Sequence, residues 1–152
     1  MNYWLMKSEP DVFSIDHLAA LPGKKSSWEG VRNYQARNFM KQMQLGDQAF
    51  FYHSSADVIG IAGIVRVTGL AEPDLFALDK KSDYYDPKAT REKNPWVSVQ
   101  VTLVRKFKNV VTLAELRETK GLEKMLVLQR GMRLSVHPVT ETEFKIASQK
   151  SK

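Results

Sequence analysis

The segment Tyr3-Trp4-Leu5-Met6-Lys7-Ser8-Glu9-Pro10 is an alternating apolar run that ends on a lysine, a hydroxyl and a carboxylate and is stopped by a proline. Further along, Trp28-Glu29-Gly30-Val31-Arg32-Asn33-Tyr34-Gln35-Ala36-Arg37-Asn38 gathers an indole, amides and guanidiniums with no helix breaker after Gly30. These are the parts of a pocket for a flat, polar ring. A base lifted from its stack loses a few kcal/mol of stacking and pairing. One base–aromatic stack restores roughly 1–3 kcal/mol, so a single well-placed indole offsets much of that cost. Trp28 and Trp96 can supply aromatic faces, Ser8 and Asn33 can bond along a ring edge, and Lys7 offers a cation to a carbonyl or phosphate oxygen.

Each candidate has a plainer reading beside it. Asn33 precedes a helical pattern and suits an N-cap as well as a ligand contact, and the two roles can coexist. Trp4 alternates within a strand and reads as core. Lys7 can be a solvated strand-end charge, and Glu9 an ion-pair partner of Arg32 or Arg37. His53 closes an apolar strand, where a satisfied histidine is the usual reading. It stays a candidate because Tyr52-His53-Ser54 ends a strand at the mouth of the expected barrel. Arg133 and Ser135 alternate on one strand face and are comparable candidates. Arg32, Arg37, Lys41, Arg105, Lys106 and Lys108 suit contacts to a nucleic-acid backbone or a solvated charge run. No two histidines share an i to i+4 spacing, and there is no cysteine. The expectation is no metal and no cofactor, and disulfides, thiol nucleophiles and thiolate zinc sites are excluded.

The 152 residues fit one domain around one core. Lysine and arginine outnumber acids 23 to 17, and the segment from Arg91 to Arg133, with ten basic and four acidic residues, carries the whole excess. An electropositive flank attracts polyanions through counterion release. The longest apolar run, near Val58 to Val67, is broken by Gly60, Gly63 and Arg66 and falls short of the ~20 residues that span a bilayer. With no signal-peptide pattern at its start, the chain is expected in the cytoplasm, or in the nucleus of a eukaryote.

Several short elements must position these residues. The pattern predicts a strand over Met1 to Pro10, a helix capped by Ser14 and ended by Pro22-Gly23, and a polar loop. A helix follows from Arg32 or Asn33 to Met43, with Ala36, Phe39, Met40 and Met43 on its buried face. Strands over Gln48 to Ser54 and Val58 to Thr68 form a hairpin, and 69–95 is a long ordered excursion. Trp96 to Phe107 alternates as a half-buried strand. A helix capped by Thr112 runs through Glu118, another over Leu122 to Leu128, a strand over Arg133 to Val136, and a last helix behind the Thr140/Glu143 capping box. Without β-α-β alternation or a glycine-rich phosphate loop, the fold class is α+β, a small mixed barrel. Gly60-Ile61-Ala62-Gly63 then marks a bulge, bend or close approach within a strand.

The two opening segments, together with Phe51-Tyr52-His53-Ser54, Gly60-Ile61-Ala62-Gly63, Tyr84-Tyr85-Asp86-Pro87-Lys88-Ala89 and Arg133-Leu134-Ser135-Val136-His137-Pro138-Val139, resemble the EVE domain family from Tyr3 to about Val139. The resemblance implies one EVE domain over 1–152, a PUA-like mixed β-barrel with surrounding helices, related to the ASCH domains and the YTH readers of methylated adenine. It implies a non-catalytic reader of a modified base, especially a modified cytosine, with DNA rather than RNA as the carrier. No membrane partner is expected. By analogy with YTH proteins, Trp28 is the principal wall.

Two other readings stand beside the reader. Some ASCH relatives use a lysine, a hydroxyl residue and a glutamate to hydrolyse modified nucleosides, so Lys7, Ser8 and Glu9 could form an amidohydrolase site. Neighbours on a strand point to opposite faces, and Lys7 and Ser8 converge only if the chain bends before Pro10. The third reading is a scaffold whose cavity takes a small metabolite or nothing at all.

Overall fold

The computed structural model describes residues 1–151; Lys152, the last residue of the expected domain, lies outside the described residues. Six strands form one mixed sheet: β1 (Tyr3–Ser8), β2 (Lys25–Trp28), β3 (Gln48–His53), β4 (Gly60–Pro73), β5 (Val97–Thr112) and β6 (Val136–Val139). Their order is β2-β5-β4-β3-β1-β6. β1 runs parallel to β3, and all the other pairs are antiparallel. Four helices pack on it, α1 (Ile15–Ala20), α2 (Tyr34–Gln42), α3 (Leu113–Arg117) and α4 (Glu141–Gln149). Among the described residues no helix is long and apolar enough to cross a membrane.

The central strands are covered on both faces, which is why β3 reads as an almost unbroken apolar run. Trp4, Met6, Phe51, Val65 and Val101 point into one core, closed by Ile15 and Leu18 of α1 and by Ala36 and Met40 of α2. Leu5, Phe50, Ile61, Phe107 and Val111 point into the other, closed by Leu116 of α3 and by Phe144 and Ala147 of α4. Trp4 is core, as its alternation suggested, and its indole N–H donates to Asp47 Oδ2 at 3.0 Å.

The helices begin where the sequence places them. Ser14, Thr112 and Thr140 each accept the backbone N–H three residues on, and Asn33 accepts that of Ala36 at 3.0 Å.

Four expectations differ from what forms. The polar loop after Gly23 contains β2, whose first three side chains, Lys25, Ser26 and Ser27, carry no apolar signal and which forms by pairing its backbone with β5 from Thr102 to Val99. Leu122 to Leu128 is not an α-helix. Successive turns bond each of Leu122, Met125 and Leu128 to the carbonyl three residues back, and this period buries Leu122 and Met125 as a helix would. The last strand begins at Val136 rather than Arg133, and it tolerates Pro138 because it is a sheet edge. Finally, no pairing joins β2 to β6 among the described residues, so the sheet is not closed into a hydrogen-bonded barrel.

The sheet bends strongly all the same. Register shifts interrupt the β4–β5 ladder, one of them between Ile61 and Gly63. A Cβ on Gly63 would stand 2.4 Å from the Arg105 carbonyl oxygen and 2.3 Å from Ile15 Cδ1, so only glycine lets the two strands and α1 approach so closely.

Burial disfavours the charged form of two histidines. His137 is wholly buried, its Nδ1 donates to the Pro138 carbonyl at 3.1 Å, and its Nε2 has no partner. Burial pushes its pKa down, the Pro138 bond opposes this, and the Lys7 charge adds to it. His53 Nε2 accepts the Ile15 N–H at 3.2 Å, and burial again pushes its pKa down, against Asp16 and with Lys106. Both folded values lie below the ordinary 6.5. Their contribution to stability is therefore complete above that value and lost as pH falls through the folded ones. Urea unfolding should show stability declining from about pH 7.5 to about pH 5, with a shallower decline in His137→Gln. An identical slope in the variant would contradict this assignment.

Candidate nucleobase pocket

Where β1 ends, the chain turns at once. The N–H groups of Val12 and Phe13 both reach the Glu9 carbonyl at 2.9 Å, and Ser8 Oγ donates to the Phe13 carbonyl at 2.6 Å. Because the strand stops at Ser8, Lys7 and Ser8 reach one hollow despite pointing to opposite faces of the sheet. That hollow is a cavity of about 640 Å³. Glu9, Val12 and Phe13 line it from the turn, and Ser26, Ser27 and Trp28 from β2. Glu29, Gly30 and Val31 line it from the bend that follows, while Ser54, Tyr84, Arg133 and Ser135 reach in from elsewhere.

The wall beside Trp28 is built by charge. Asp74, with no exposed side-chain surface, accepts from the Gly30 N–H at 2.9 Å, from Arg32 Nη1 at 3.0 Å and from the Phe76 N–H at 3.0 Å. Arg32 also holds the Tyr84 carbonyl through Nε at 2.9 Å and Nη2 at 2.7 Å. Its guanidinium thus ties the bend after β2 to the long excursion between β4 and β5. Gly30 has φ +83°, and a Cβ there would meet the Tyr84 ring at 2.7 Å. No other residue both adopts that backbone conformation readily and leaves room for the ring.

Trp28 lines the cavity but keeps only 7% of its surface exposed, so it presents a strip of the indole and not an open plane. Phe51 and Phe13 brace it edge-on, with centroids 5.2 Å and 6.3 Å away. The half-buried rings of Phe13 and Tyr84 add aromatic surface to the lining. Among the described residues the Trp28 N–H meets no acceptor, yet it is not sealed from solvent. Lys7 lies 5.9 Å from the Tyr52 ring centroid with no carboxylate at ion-pair distance among the described residues, and burial pushes its pKa down. Glu29 likewise has no cation within that distance among the described residues. Burial pushes its pKa up, the Ser27 hydroxyl opposes this, and the Asp74 carboxylate adds to it. A donor-only cation and an acceptor-only carboxylate therefore share one hollow without neutralising each other.

The family model described as EVE domain matches residues 2–149. The chain belongs to the EVE domain family. Thymocyte nuclear protein 1 of Homo sapiens is 42% identical over 159 residues, spanning 94% of this chain and 71% of that protein. A crystal structure of human THYN1 protein in complex with 5-methylcytosine-containing DNA has a TM-score of 0.92 at 40% identity, covering 100% of this chain and 99% of that one. A protein from Pseudomonas syringae has a TM-score of 0.95 at 51% identity, with 99% of each chain covered. A mutant ASCH protein from Zymomonas mobilis, 8% identical with a TM-score of 0.54 over 100% of both chains, shares the fold alone.

In this EVE domain five of the eight residues expected at the ligand, Lys7, Ser8, Trp28, Arg133 and Ser135, line one cavity. The other three lie outside it. Asn33 uses its side chain to cap α2. His53 is turned to the Ile15 N–H. Trp96 is buried behind the wall, its N–H on Asp86 Oδ2 at 2.7 Å and its ring 4.8 Å from Tyr34.

Most of the cations expected at a nucleic-acid backbone are engaged. Arg32 makes four hydrogen bonds to protein acceptors. Arg37 holds Asn38 Oδ1 and the Pro95 carbonyl, Arg105 bonds Ser151 Oγ, and Lys106 pairs with Asp16. Lys41 and Lys108 are exposed. Glu9 is exposed and pairs with neither arginine among the described residues. Glu29, Ser54 and Tyr84 stand in the motif segments without having been expected at the ligand, and nothing local marks Phe13 as lining.

Among the described residues no three histidine, aspartate or glutamate side chains gather as a metal site.

The wall has a direct test in the backbone. Gly30→Ala should lose about 1–3 kcal/mol in denaturant unfolding, from the left-handed backbone and the Tyr84 contact together. Adding Tyr84→Ala should recover only the contact. An unchanged unfolding midpoint for Gly30→Ala would refute this account of the wall.

Proposed function

We propose that this EVE domain is a non-catalytic reader of a modified nucleobase in DNA, with modified cytosine as the base. The observation that carries the reading is the human THYN1 structure with 5-methylcytosine-containing DNA, a chain 40% identical over the full length of this one. The cavity supports it physically. It combines the aromatic surface of Trp28, Phe13 and Tyr84 with the charged groups of Lys7 and Glu29, neither of them ion-paired among the described residues. Stacking and edge bonding together are what an extruded base needs. In this reading Lys7, Ser8, Trp28, Arg133 and Ser135 meet the base, and Asn33, His53 and Trp96 hold the frame. Of the cations expected at the nucleic-acid backbone, Lys41 and Lys108 are left to meet phosphates. We read the bent sheet as a PUA-like barrel open between β2 and β6. The compartment we infer is the cytoplasm, or the nucleus in a eukaryote.

An amidohydrolase site at Lys7, Ser8 and Glu9 has less support. Ser8 commits its proton to the Phe13 carbonyl, and Glu9 is exposed.

Titration of matched duplexes carrying one 5-methylcytosine or one cytosine tests the reading. Tighter binding of the methylated duplex is expected, and Tyr84→Ala should weaken it roughly 5- to 150-fold, the value of one aromatic contact. Equal affinities for the two duplexes would overturn the reading. Release of a nucleoside product from acylated cytidines, abolished by Lys7→Ala, would favour the enzyme instead.

A further inference from the structure

A pocket that accepts 5-methylcytosine faces a rival that shape cannot exclude. Thymine carries the same methyl group at the same ring position and has nearly the same outline. The two differ at the edge. Cytosine presents the N4 amino donor beside the N3 acceptor, whereas thymine presents the O4 acceptor beside an N3 donor. Discrimination in favour of cytosine at position 4 therefore calls for a protein group there that can only accept.

Most polar side chains around the cavity cannot perform that task. The free hydroxyls, those of Ser54, Ser135 and Tyr84, both donate and accept, so they rotate to satisfy either base. Ser8 has its proton on the Phe13 carbonyl and Ser26 on the Ser27 carbonyl, so these offer only neutral lone pairs, and the Ser27 hydroxyl bonds Glu29. Lys7 and Arg133 only donate, which would favour the O4 of thymine if they stood there. Charged acceptor-only side chains around the cavity are two carboxylates, Glu9 and Glu29. Glu9 is exposed in the turn after β1, where water competes for its oxygens. Glu29 is half-buried, and its backbone is set by β2 on one side and the Gly30–Asp74 bond on the other. No cation is within ion-pair distance of it among the described residues.

We propose that Glu29 is the specificity-determining residue of the pocket, accepting from the exocyclic amino group of the cytosine and rejecting thymine by setting a carboxylate against O4. The inference rests on the reader function proposed above. Lys7, donor-only and on the same cavity, is the complementary group for the O2 carbonyl. Burial matters to both interactions. A half-buried carboxylate is poorly solvated, so its bond to an amino group is strengthened and its clash with a carbonyl oxygen is not relieved by water. A site built to bond one edge rejects the analogue with the wrong group far more strongly than an apolar pocket rejects a missing methyl. The raised pKa of the carboxyl accords with that shielding.

The experiment uses the full chain and duplexes differing at one position, with 5-methylcytosine, cytosine or thymine opposite guanine. The thymine–guanine mismatch opens more readily than the methylcytosine pair, so ease of extrusion works against the expected result. Wild-type protein should prefer 5-methylcytosine to thymine at least about tenfold. Glu29→Gln, whose amide can donate to O4, should bring that ratio to about one or invert it while duplex binding persists. Glu29→Asp keeps acceptor-only chemistry, and it should weaken methylcytosine binding yet still reject thymine. Glu9→Gln should leave the ratio unchanged. A wild-type ratio retained in Glu29→Gln overturns this assignment while leaving the reader intact. Wild-type protein that does not separate 5-methylcytosine from cytosine overturns the reader, and the assignment with it.

Discussion

The buried carboxylate of Asp74 is the constraint on which the pocket depends. A charge without exposed surface is tolerated only when bonded on every side, and here one guanidinium and two backbone N–H groups converge on it. Those donors come from different parts of the chain, the bend after β2 and the start of the excursion that follows β4. Arg32 extends the bond to the Tyr84 carbonyl, and Asn94 and Trp96 bind the far end of the excursion back to Asp74 through its main chain. One acid thus holds together a long segment that has little secondary structure of its own.

The second determinant is where the sheet stops. Buried apolar side chains cover both faces of β1 and β3, and the layer ends together at Ser8 and His53, partners in adjacent strands. Beyond that line the backbone groups need new partners. The Glu9 turn, the Ser8–Phe13 bond and the Ser54 N–H on the Ser8 carbonyl supply them. The cavity is the space left between this turn and the curled edge strand β2. Its position follows from strand length and sheet bend, and its chemistry follows from which residues stand at those ends.

Inside the cavity the polar groups depart from what stability alone would select. Elsewhere Asp74 and Asp47 are surrounded by donors, and Lys106 and Lys145 pair with neighbouring acids. Lys7 and Glu29 are partly desolvated and have no oppositely charged partner among the described residues, each with its pKa pushed by burial toward the neutral form. Local energetic inconsistency of this kind concentrates at functional sites, because a ligand supplies the missing partners. The base proposed for this pocket has a donor and acceptors on one edge, which answers both groups at once.

Much of the frame was legible in the residues because it rests on local rules. Ser14, Asn33, Thr112 and Thr140 cap helices by a bond made three residues on, and the alternation of β1 separates Trp4 and Met6 from Leu5 on two faces. Lys7, Ser8 and Trp28 could be singled out because their motifs are contiguous. Tertiary structure decided what depends on distant partners. β2 exists by pairing with β5, Trp96 is withdrawn by Asp86, and Asn33 is occupied by its own helix. Arg32 is claimed by Asp74, and Tyr84 is set over a glycine far from it in the chain. A short-range pattern records which backbone bonds a residue can make with its neighbours. Which side chain remains free to meet a ligand depends on competition among all the donors and acceptors that folding brings within reach, and that competition is settled only in three dimensions.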